Sequence, residues 1–446
     1  MSDYLPDEVL ANIFLRLPAK EVLDCRCVCK SWRSVISNSV FISDYTQLSL
    51  KKKRNNGRFI LSHYDSEKTK ERFTLHNDDS SFGQEYEELE LPFYHGLSKY
   101  LVIGLCCGLV CMLEISKAER VPQSLLIWNP SVGYSFKSFP LQPPVCSLDK
   151  PIQGYGPSIK FCEEEAVLYS VFGFGFDMKS NDYKVVRIVY REDYSADIFR
   201  TALEIADLFS FNTGGWNKIT ESVPPYIIKE SSAHAYVNGA LHWIGYYDGS
   251  DERLISQSIL AVFDLSDEVF REFKLPDELI REVIERGDEK QALSVGVITE
   301  SLALMHFQSI GTQTLFMGYI WVMNEYGATE SWVKMRRIQL YIGLGKILWL
   351  RRNGEFVVAS VNHRDYGELF ALYAKYQSAR RLKIEGNPWT MIMDDYMECL
   401  VIYQKVNGVP TMSTSFASTT PRRALRGVGT SGLEITDKGK EIMEEE

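Results

Sequence analysis

Two glycine-containing segments are the closest approach in this chain to a phosphate-binding loop. Gly173 and Gly175 lack the third glycine of a dinucleotide-binding turn and lie in a predicted strand and turn. The second segment, residues 343–346, is followed by Ile347 where a P-loop requires serine or threonine. Hairpin turns explain both segments better than nucleotide binding, so the sequence predicts no cofactor.

A histidine, two aspartates and two cysteine clusters are the other candidates for catalysis or metal binding. His242 lies in an apolar segment, which is typical of a packed core histidine. Asp177 and Asp264 each follow a phenylalanine at the start of a predicted turn, which favours capping of that turn; their convergence in a channel as a hydrolase pair stays open. Neither cysteine cluster, residues 25–29 or 106–111, has a second Cys/His pair at zinc-finger spacing. We therefore predict no catalytic residue and no metal site.

The N-terminal segment is predicted to be a helix with more apolar surface than it can bury. Pro6 suits a first helical turn, and the two acids after it favour the positive end of the helix dipole. Apolar residues then recur at helical spacing: Val9, Leu10, Ile13, Phe14 and Leu17. Because this stripe is too wide for a short helix to bury within its own unit, we expect part of it to contact a partner.

Pro18 ends this first helix, and two further short helices are predicted over residues 19–26 and 30–36. The third helix has Trp32, Val35 and Ile36 on one side, and Phe41 closes the unit. The alternative is a small helical bundle that packs only on its own domain.

This helical unit resembles an F-box. The resemblance rests on the Leu-Pro start, the second Leu-Pro and the Val-Cys-Lys-Ser-Trp segment over residues 28–32. It implies binding to a Skp-type adaptor and, through it, to the cullin and RING subunits of a ubiquitin ligase. The residues that it assigns to the adaptor contact are Leu5, Pro6, Ile13, Leu17, Pro18, Val28 and Trp32.

The composition predicts a soluble protein with a large core. The chain has 446 residues, of which 45% are hydrophobic, and no apolar run approaches the length of a membrane span. No secretion signal is evident at the N-terminus, so we expect a cytoplasmic protein that also enters the nucleus. The net charge of -10 opposes binding to phosphate backbones, so we expect no nucleic-acid and no membrane partner. The basic run at residues 51–54 is interpreted as a solvated linker.

From residue 58 to about 404, short apolar or alternating runs between turn residues predict strands and hairpins. One type of unit ending, an apolar strand, a turn and an aromatic strand, recurs at residues 126–140, 207–219, 261–273 and 320–335. A fifth unit runs over residues 368–382, and residues 57–91 form a divergent first unit. Repeats of roughly fifty to sixty residues predict a β-propeller of about six blades, with a pair of β-sandwiches as the alternative. A strand over residues 398–403 is expected to complete the first blade.

These unit endings are similar to the F-box-associated domain of plant F-box families, including S-locus F-box proteins and F-box-kelch-like proteins. The matching segments are residues 104–110, 127–130, 174–177, 181–186, 237–243 and 263–265. The resemblance implies a non-catalytic, substrate-recognition subunit of an SCF ubiquitin ligase, which binds a target for ubiquitination and proteasomal degradation. It points to a pistil ribonuclease in self-incompatibility, or to immune receptors or signalling proteins, as the target. The alternatives are a glycosidase-like propeller enzyme and an F-box scaffold outside the ligase.

The predicted organisation is a small all-α F-box over residues 1–45, a linker over 46–57, a large all-β propeller over 58–406 and a disordered tail over 407–446. Target specificity is expected in two long connections, residues 143–165 and 276–291, because loops present variable chemistry on a rigid scaffold. Their acidic residues would select a basic target; the alternative is a solvated loop or an exposed helix. The predicted target-binding residues are Glu163, Glu164, Glu282, Glu285 and Glu289.

Overall fold

A computed structural model shows an all-α N-terminal unit followed by a six-bladed β-propeller. It describes residues 5–55, 57–65, 68, 70–84, 86–91, 98–117, 122–133, 135–140, 150–152, 159–162, 166–193, 200–219, 226–228, 234–247, 255–286, 292–310, 315–340, 344–360, 367–373, 378–388, 390–401, 403–406 and 409–412. Both the helical start of the chain and the propeller were predicted from the sequence, and the fold class is confirmed.

The N-terminal unit contains four helices. They are α1 (Asp7–Phe14), α2 (Ala19–Cys25), α3 (Lys30–Ile36) and α4 (Ser39–Asn55). Pro6 and Pro18 are the N-cap residues of α1 and α2, positions at which proline's missing N–H and fixed φ cost little. The segment predicted as a linker, residues 46–57, is helical over residues 46–55, because α4 continues almost to the first strand.

The propeller strands follow one another blade by blade. Blade 1 contains β1 (Arg58–Asp65), β2 (Lys70–Asn77) and β3 (Glu87–Leu89); blade 2 contains β4 (Ser98–Cys106), β5 (Leu109–Ser116), β6 (Pro122–Asn129) and β7 (Ser135–Pro140). Blade 3 contains β8 (Lys150–Ile152), β9 (Ile159–Cys162), β10 (Ala166–Asp177), β11 (Asp182–Asp193), β12 (Arg200–Ser210) and β13 (Gly215–Lys218). Blade 4 contains β14 (Tyr226–Ile228), β15 (Ala235–Val237), β16 (Ala240–Tyr247), β17 (Ser258–Asp264) and β18 (Val269–Phe273).

The helix α5 (Asp277–Arg286) separates blade 4 from the last two blades. Blade 5 contains β19 (Ala292–Ile298), β20 (Ser301–Ile310), β21 (Leu315–Met323) and β22 (Trp332–Leu340); blade 6 contains β23 (Leu344–Leu350), β24 (Glu355–Ser360), β25 (Gly367–Tyr373) and β26 (Ser378–Gly386). The chain ends its described part with β27 (Ile392–Tyr396), β28 (Tyr403–Val406) and β29 (Val409–Met412). Strand β29 lies inside the segment predicted as a disordered tail.

The ring is closed by β27, which pairs with β1 and completes blade 1 from the other end of the chain. The sequence predicted closure by the C-terminal part of the chain, but it placed the closing strand at residues 398–403. That placement is wrong, because residues 397–401 form no strand and pack elsewhere. A buried ion pair supports the same seam, since Arg351 Nε of blade 6 lies 2.9 Å from Asp78 Oδ1 of blade 1.

Six separate apolar clusters lie between neighbouring blades, one at each interface of the ring. Between blades 6 and 1, for example, Phe59 and Leu61 pack with Val357 and Ala371. Each blade therefore buries both faces only when both neighbours are present, which is the physical reason why closure matters.

The strand order places the F-box on one face of the ring. Hydrogen-bonded neighbours in each blade are antiparallel, so the turns after β4 and β6 of blade 2 lie on one face of the ring together with the corresponding turns of the other blades, and the remaining connections start from the other face. Because β1 begins where the antiparallel β27 ends, α4 enters on the face with the short turns. We call this the proximal face, and the opposite one the distal face. The connection that contains residues 277–286 leaves the end of β18 in blade 4 and rejoins the start of β19 in blade 5, so both of its ends are on the distal side of the strands.

Removal of the closing strand is expected to abolish cooperative folding of the propeller. A chain that ends at Gly386 lacks β27, so blade 1 loses its inner strand and the apolar cluster between blades 6 and 1 becomes exposed. Thermal unfolding followed by circular dichroism measures the effect, and a chain that ends at Met412 is the control. A sharp transition of unchanged midpoint in the shorter chain would contradict the role of β27.

Candidate functional site

The apolar stripe of α1 divides into a buried side and an exposed side. Leu10 and Phe14 are buried in the core of the helical unit. On the other side, Leu5 is 50% exposed, Val9 42% and Ile13 45%. These three residues are spaced four apart, so they lie along one face of the helix and its N-cap. The sequence prediction that part of the stripe would not be buried within its own unit agrees with this arrangement.

The exposed face is held in place by the packing beneath it. Phe14 contacts the ring of Trp32 edge to face, with ring centroids 5.1 Å apart, and lies 6.4 Å from Phe41. Leu17 and Trp32 are half-buried and pack against this core, so they shape the helices more than they present surface. Cys29 accepts a hydrogen bond from the Trp32 backbone N–H and thereby caps α3.

Of the residues assigned to adaptor binding, Leu5, Pro6, Ile13, Pro18 and Val28 are exposed. Val28 is the most exposed apolar residue of the unit, at 64%. Val9 also belongs to this surface and was not predicted there, although its spacing midway between Leu5 and Ile13 was a sufficient signal. Several exposed apolar residues along one face of a short helix are typical of a protein-binding site.

The residues with possible catalytic roles serve the fold. Asp264 accepts hydrogen bonds from the backbone N–H groups of Ser266 and Asp267, each at 2.9 Å, which is the turn capping that its position after Phe263 favoured. Asp177 caps the turn at Lys179 in the same way, at 2.9 Å, and forms a buried ion pair of 2.9 Å with Lys184. Burial raises the pKa of Asp177, but hydrogen bonds from Ser180, Ser266 and then Lys184 outweigh it and hold the pKa at about 2.

His242 is buried, and both of its ring nitrogens have partners. Nδ1 lies 3.1 Å from the Ala235 carbonyl, and Nε2 lies 3.0 Å from the Tyr326 hydroxyl. Gly173 belongs to the first of the two glycine-containing segments. Its missing side chain leaves space for the ring of Trp243 in the next blade. Within the part of the chain that the structure describes, no group of three or more His, Cys, Asp or Glu residues could hold a metal ion.

The acidic connection over residues 276–291 contains an amphipathic helix, α5. Leu279 and Val283 are buried against blades 4 and 5. Glu282 contacts Lys334 of β22, whose ammonium lies 4.1 Å from the Tyr319 ring centroid. Glu282 is therefore half-buried and anchors the helix, whereas Glu285 is exposed. Glu289 lies outside the described residues.

The other long connection contributes a hairpin, β8 and β9, to blade 3. Glu163 and Glu164 of this connection lie outside the described residues. Among the helices in the described ranges, none is long and apolar enough to cross a membrane.

Comparison with known families assigns both parts of the chain. Residues 58–402 match the F-box associated beta propeller domain, and residues 3–44 match the F-box domain. The chain is a member of the F-box protein family. The family also assigns the helical unit, since an F-box indicates binding to a Skp-type adaptor within an SCF ligase.

Three Arabidopsis thaliana proteins illustrate the relationship. F-box protein At3g07870 is 26% identical over 376 residues, which cover 79% of this chain and 78% of that protein. F-box/kelch-repeat protein At3g23880 is 26% identical, with 78% of this chain and 82% of that protein covered. F-box protein CPR1 is 25% identical, with coverages of 75% and 73%. The similarity thus extends over roughly three quarters of each chain and agrees with a plant family.

Two buried histidines, His76 and His242, and the half-buried His234 predict that the protein loses stability in mild acid. Burial lowers the pKa of His76, His234 and His242 to about 4 each. Between the ordinary histidine pKa and 4, the unfolded chain binds protons that the folded chain does not, so the free energy of unfolding falls as the pH falls. Each histidine contributes a slope of up to about 1.4 kcal/mol per pH unit in that window.

Denaturant unfolding at pH 7.5, 5.5 and 4.5 measures this dependence. A His242→Gln variant has one titrating group fewer and should show a shallower slope, whatever its absolute stability. Equal slopes for the two proteins would contradict the contribution of His242.

Proposed function

We propose that the chain is the substrate-recognition subunit of an SCF ubiquitin ligase, with the adaptor on the exposed face of α1 and the target on the distal face of the propeller. The family membership supports a substrate-recognition role in general. The exposed apolar series Leu5, Val9 and Ile13 is the observation that carries the adaptor assignment. A helix that offers residues spaced by four to a groove is a common mode of recognition between proteins.

The placement of the target follows from the two faces of the ring. The proximal face bears the F-box and includes the shortest turns of the ring, such as residues 107–108 and 238–239, which contain only two residues each. The distal face has the longer connections between blades, including α5. A target held on the distal face does not compete with the F-box for space, and longer connections offer more side chains for recognition.

The chain acts in this proposal without catalysis of its own. It raises the effective concentration of a target lysine beside a charged ubiquitin-conjugating enzyme, which requires binding and position but no reactive group. The turn-capping roles of Asp177 and Asp264 support this view over a glycosidase-like hydrolase, since both carboxylates are engaged by backbone N–H groups.

Pathway and compartment are the finer parts of the proposal. Resemblance to plant F-box proteins favours a role in self-incompatibility or in immune signalling, followed by proteasomal degradation of the target. The net charge of -10 favours a basic or neutral protein target. We place this activity in the cytoplasm and nucleus.

The adaptor contact is tested by Ile13→Asp in the full-length chain. Because Ile13 is exposed, the charge should leave the fold intact and weaken binding to a Skp-type adaptor by at least about tenfold. Val40→Asp is the matched control, since Val40 is an exposed apolar residue on α4, outside the proposed contact. Isothermal titration calorimetry measures both affinities. Equal, undiminished adaptor binding by both variants would refute the adaptor surface.

The distal target site is tested by reversing one charge on α5. Affinity purification with mass spectrometry first identifies the target. Glu285→Lys should then reduce capture of that target at low salt and leave adaptor binding intact. The effect is expected at low salt because dissolved ions screen the attraction between exposed charges. Glu285 is preferred to Glu282, whose contact with Lys334 anchors the helix. Glu90→Lys is the control, because Glu90 is exposed next to β3 of blade 1, whereas α5 packs against blades 4 and 5. The same loss of capture in both variants would remove α5 from the site.

A further inference from the structure

A short segment outside regular secondary structure, residues 397–401, follows the closing strand and contacts both domains. We call it the strap. Its side chains alternate between two cores: Leu400 is buried in the F-box cluster with Leu10 and Phe14, while Cys399 and Val401 are buried in the propeller cluster between blades 2 and 3. An extended chain points successive side chains in opposite directions, so one segment can pack on two domains at once.

Hydrogen bonds hold both sides of the strap. On the F-box side, the Tyr45 hydroxyl lies 3.0 Å from Glu398 Oε2 and 3.2 Å from the Leu17 carbonyl. Burial raises the pKa of Tyr45, as does the neighbouring Glu398 carboxylate, so the hydroxyl keeps its proton and remains a donor. This hydrogen bond joins Tyr45 and Glu398, which are 353 positions apart along the sequence.

On the propeller side, the fully buried Asn129 side chain donates to the carbonyls of Cys399 and Val401, at 2.9 and 2.8 Å. The Cys399 backbone N–H donates to the Ser131 hydroxyl at 3.1 Å. Gly108 leaves space for the strap, because a Cβ on it would lie 2.6 Å from the Met397 carbonyl oxygen. The two proximal turns of blade 2 therefore form a seat for the strap.

The strap changes how the F-box is attached. The chain joins the two domains once, where α4 leads into β1, and a single connection leaves domains free to rotate relative to one another. A second attachment through Leu400, Glu398 and Tyr45 removes that freedom. It also leaves the adaptor-binding side of α1 exposed, because Leu400 packs in the core that Leu10 and Phe14 enter from the other side of the helix.

The geometry points to a positioning role for the strap: Glu398 and Leu400 fix the orientation of the F-box on the propeller, and so set which lysines of a bound target the ligase reaches. The first half of this inference concerns the free chain, and the second half rests on the proposed ligase function. Fixed geometry matters because ubiquitin transfer depends on the effective concentration of a lysine at the conjugating enzyme, which motion between the domains dilutes.

The orientation is measured in the full-length chain by electron-electron double resonance. Spin labels are introduced as non-natural amino acids at two exposed positions, Val40 on α4 and Met178 on a turn of blade 3. We expect one narrow distance distribution for the otherwise unchanged chain. Leu400→Asp should broaden it by about twofold or more, because the strap then leaves the F-box core.

Leu400→Asp could also broaden the distribution by unfolding the F-box, and three further variants distinguish that effect from loss of the strap contact. Leu400→Ala combined with Glu398→Ala removes both F-box contacts of the strap without placing a charge in a core, and it should also broaden the distribution. Leu400→Met conserves volume and apolar character and should restore the narrow distribution. Val333→Asp is the matched control, since Val333 is exposed on β22, away from the strap, and the distribution should not change.

The effect on ubiquitin transfer is measured in a reconstituted ligase, in which the chain's own propeller lysines are the acceptors. Mass spectrometry identifies which of these lysines carry ubiquitin. A fixed F-box should concentrate ubiquitin on a few lysines, and the alanine double variant should spread it over more while adaptor affinity stays within about threefold. An unchanged distance distribution in both strap variants would overturn the inference, as would an unchanged lysine pattern despite a broadened distribution. Failure of the unmodified chain to bind a Skp-type adaptor would instead refute the proposed function, and the distances would still decide the role of the strap.

Discussion

The pairing of β27 with β1 is the constraint on which the rest of the structure depends. Each blade has two apolar faces, and only a closed ring buries all of them. Closure by a strand from the far end of the chain brings residues 58 and 396 side by side. Whatever precedes β1 and whatever follows β27 must then meet on the same proximal face. The F-box and the strap are neighbours for that reason, and their packing against one another follows from the topology of closure.

The helical unit shows how a short domain can serve two partners. Four helices cannot bury every apolar residue of α1, so the stripe divides between an inner side and an outer side. Leu400 adds to the inner side from outside the unit. The outer side, with Val9 and Ile13, keeps its apolar surface in water, which is unfavourable unless a partner covers it. The same shortage of core therefore accounts for both the strap contact and the adaptor surface.

The blades could be predicted because their turns depend on residues close together in the sequence. The closing strand could not be located in this way, because its pairing joins distant parts of the chain. The recurring strand endings, with Asp264 and Asp177 capping the turns after them, act within a few residues, so the sequence alone indicated repeated hairpins and a propeller. The closing strand was placed at residues 398–403 because alternation there fits a strand as well as a strap; only its contacts with blade 2 and the F-box distinguish the two. The buried side of α5 had a local signal, Leu279 and Val283 at a spacing of four, which the density of acids around it obscured.

Polar contacts between blades are found at the proximal ends of several seams. Lys184 of blade 3 reaches Glu268 of blade 4 at 2.8 Å, and Tyr236 of blade 4 donates to the Phe176 carbonyl of blade 3 at 2.7 Å. His242 contacts Tyr326 across the next seam, and Arg351 contacts Asp78 where the ring closes. A buried polar group that loses its partner destabilises the fold. Displacement of one blade relative to the next would break these contacts, so they help to fix the position of the proximal turns. Sequence change on the proximal face is thus constrained by blade order and by the seat of the strap. The distal connections take no part in these contacts, so their sequence and length can change with a smaller loss of stability. A scaffold that recognises different targets requires this freedom.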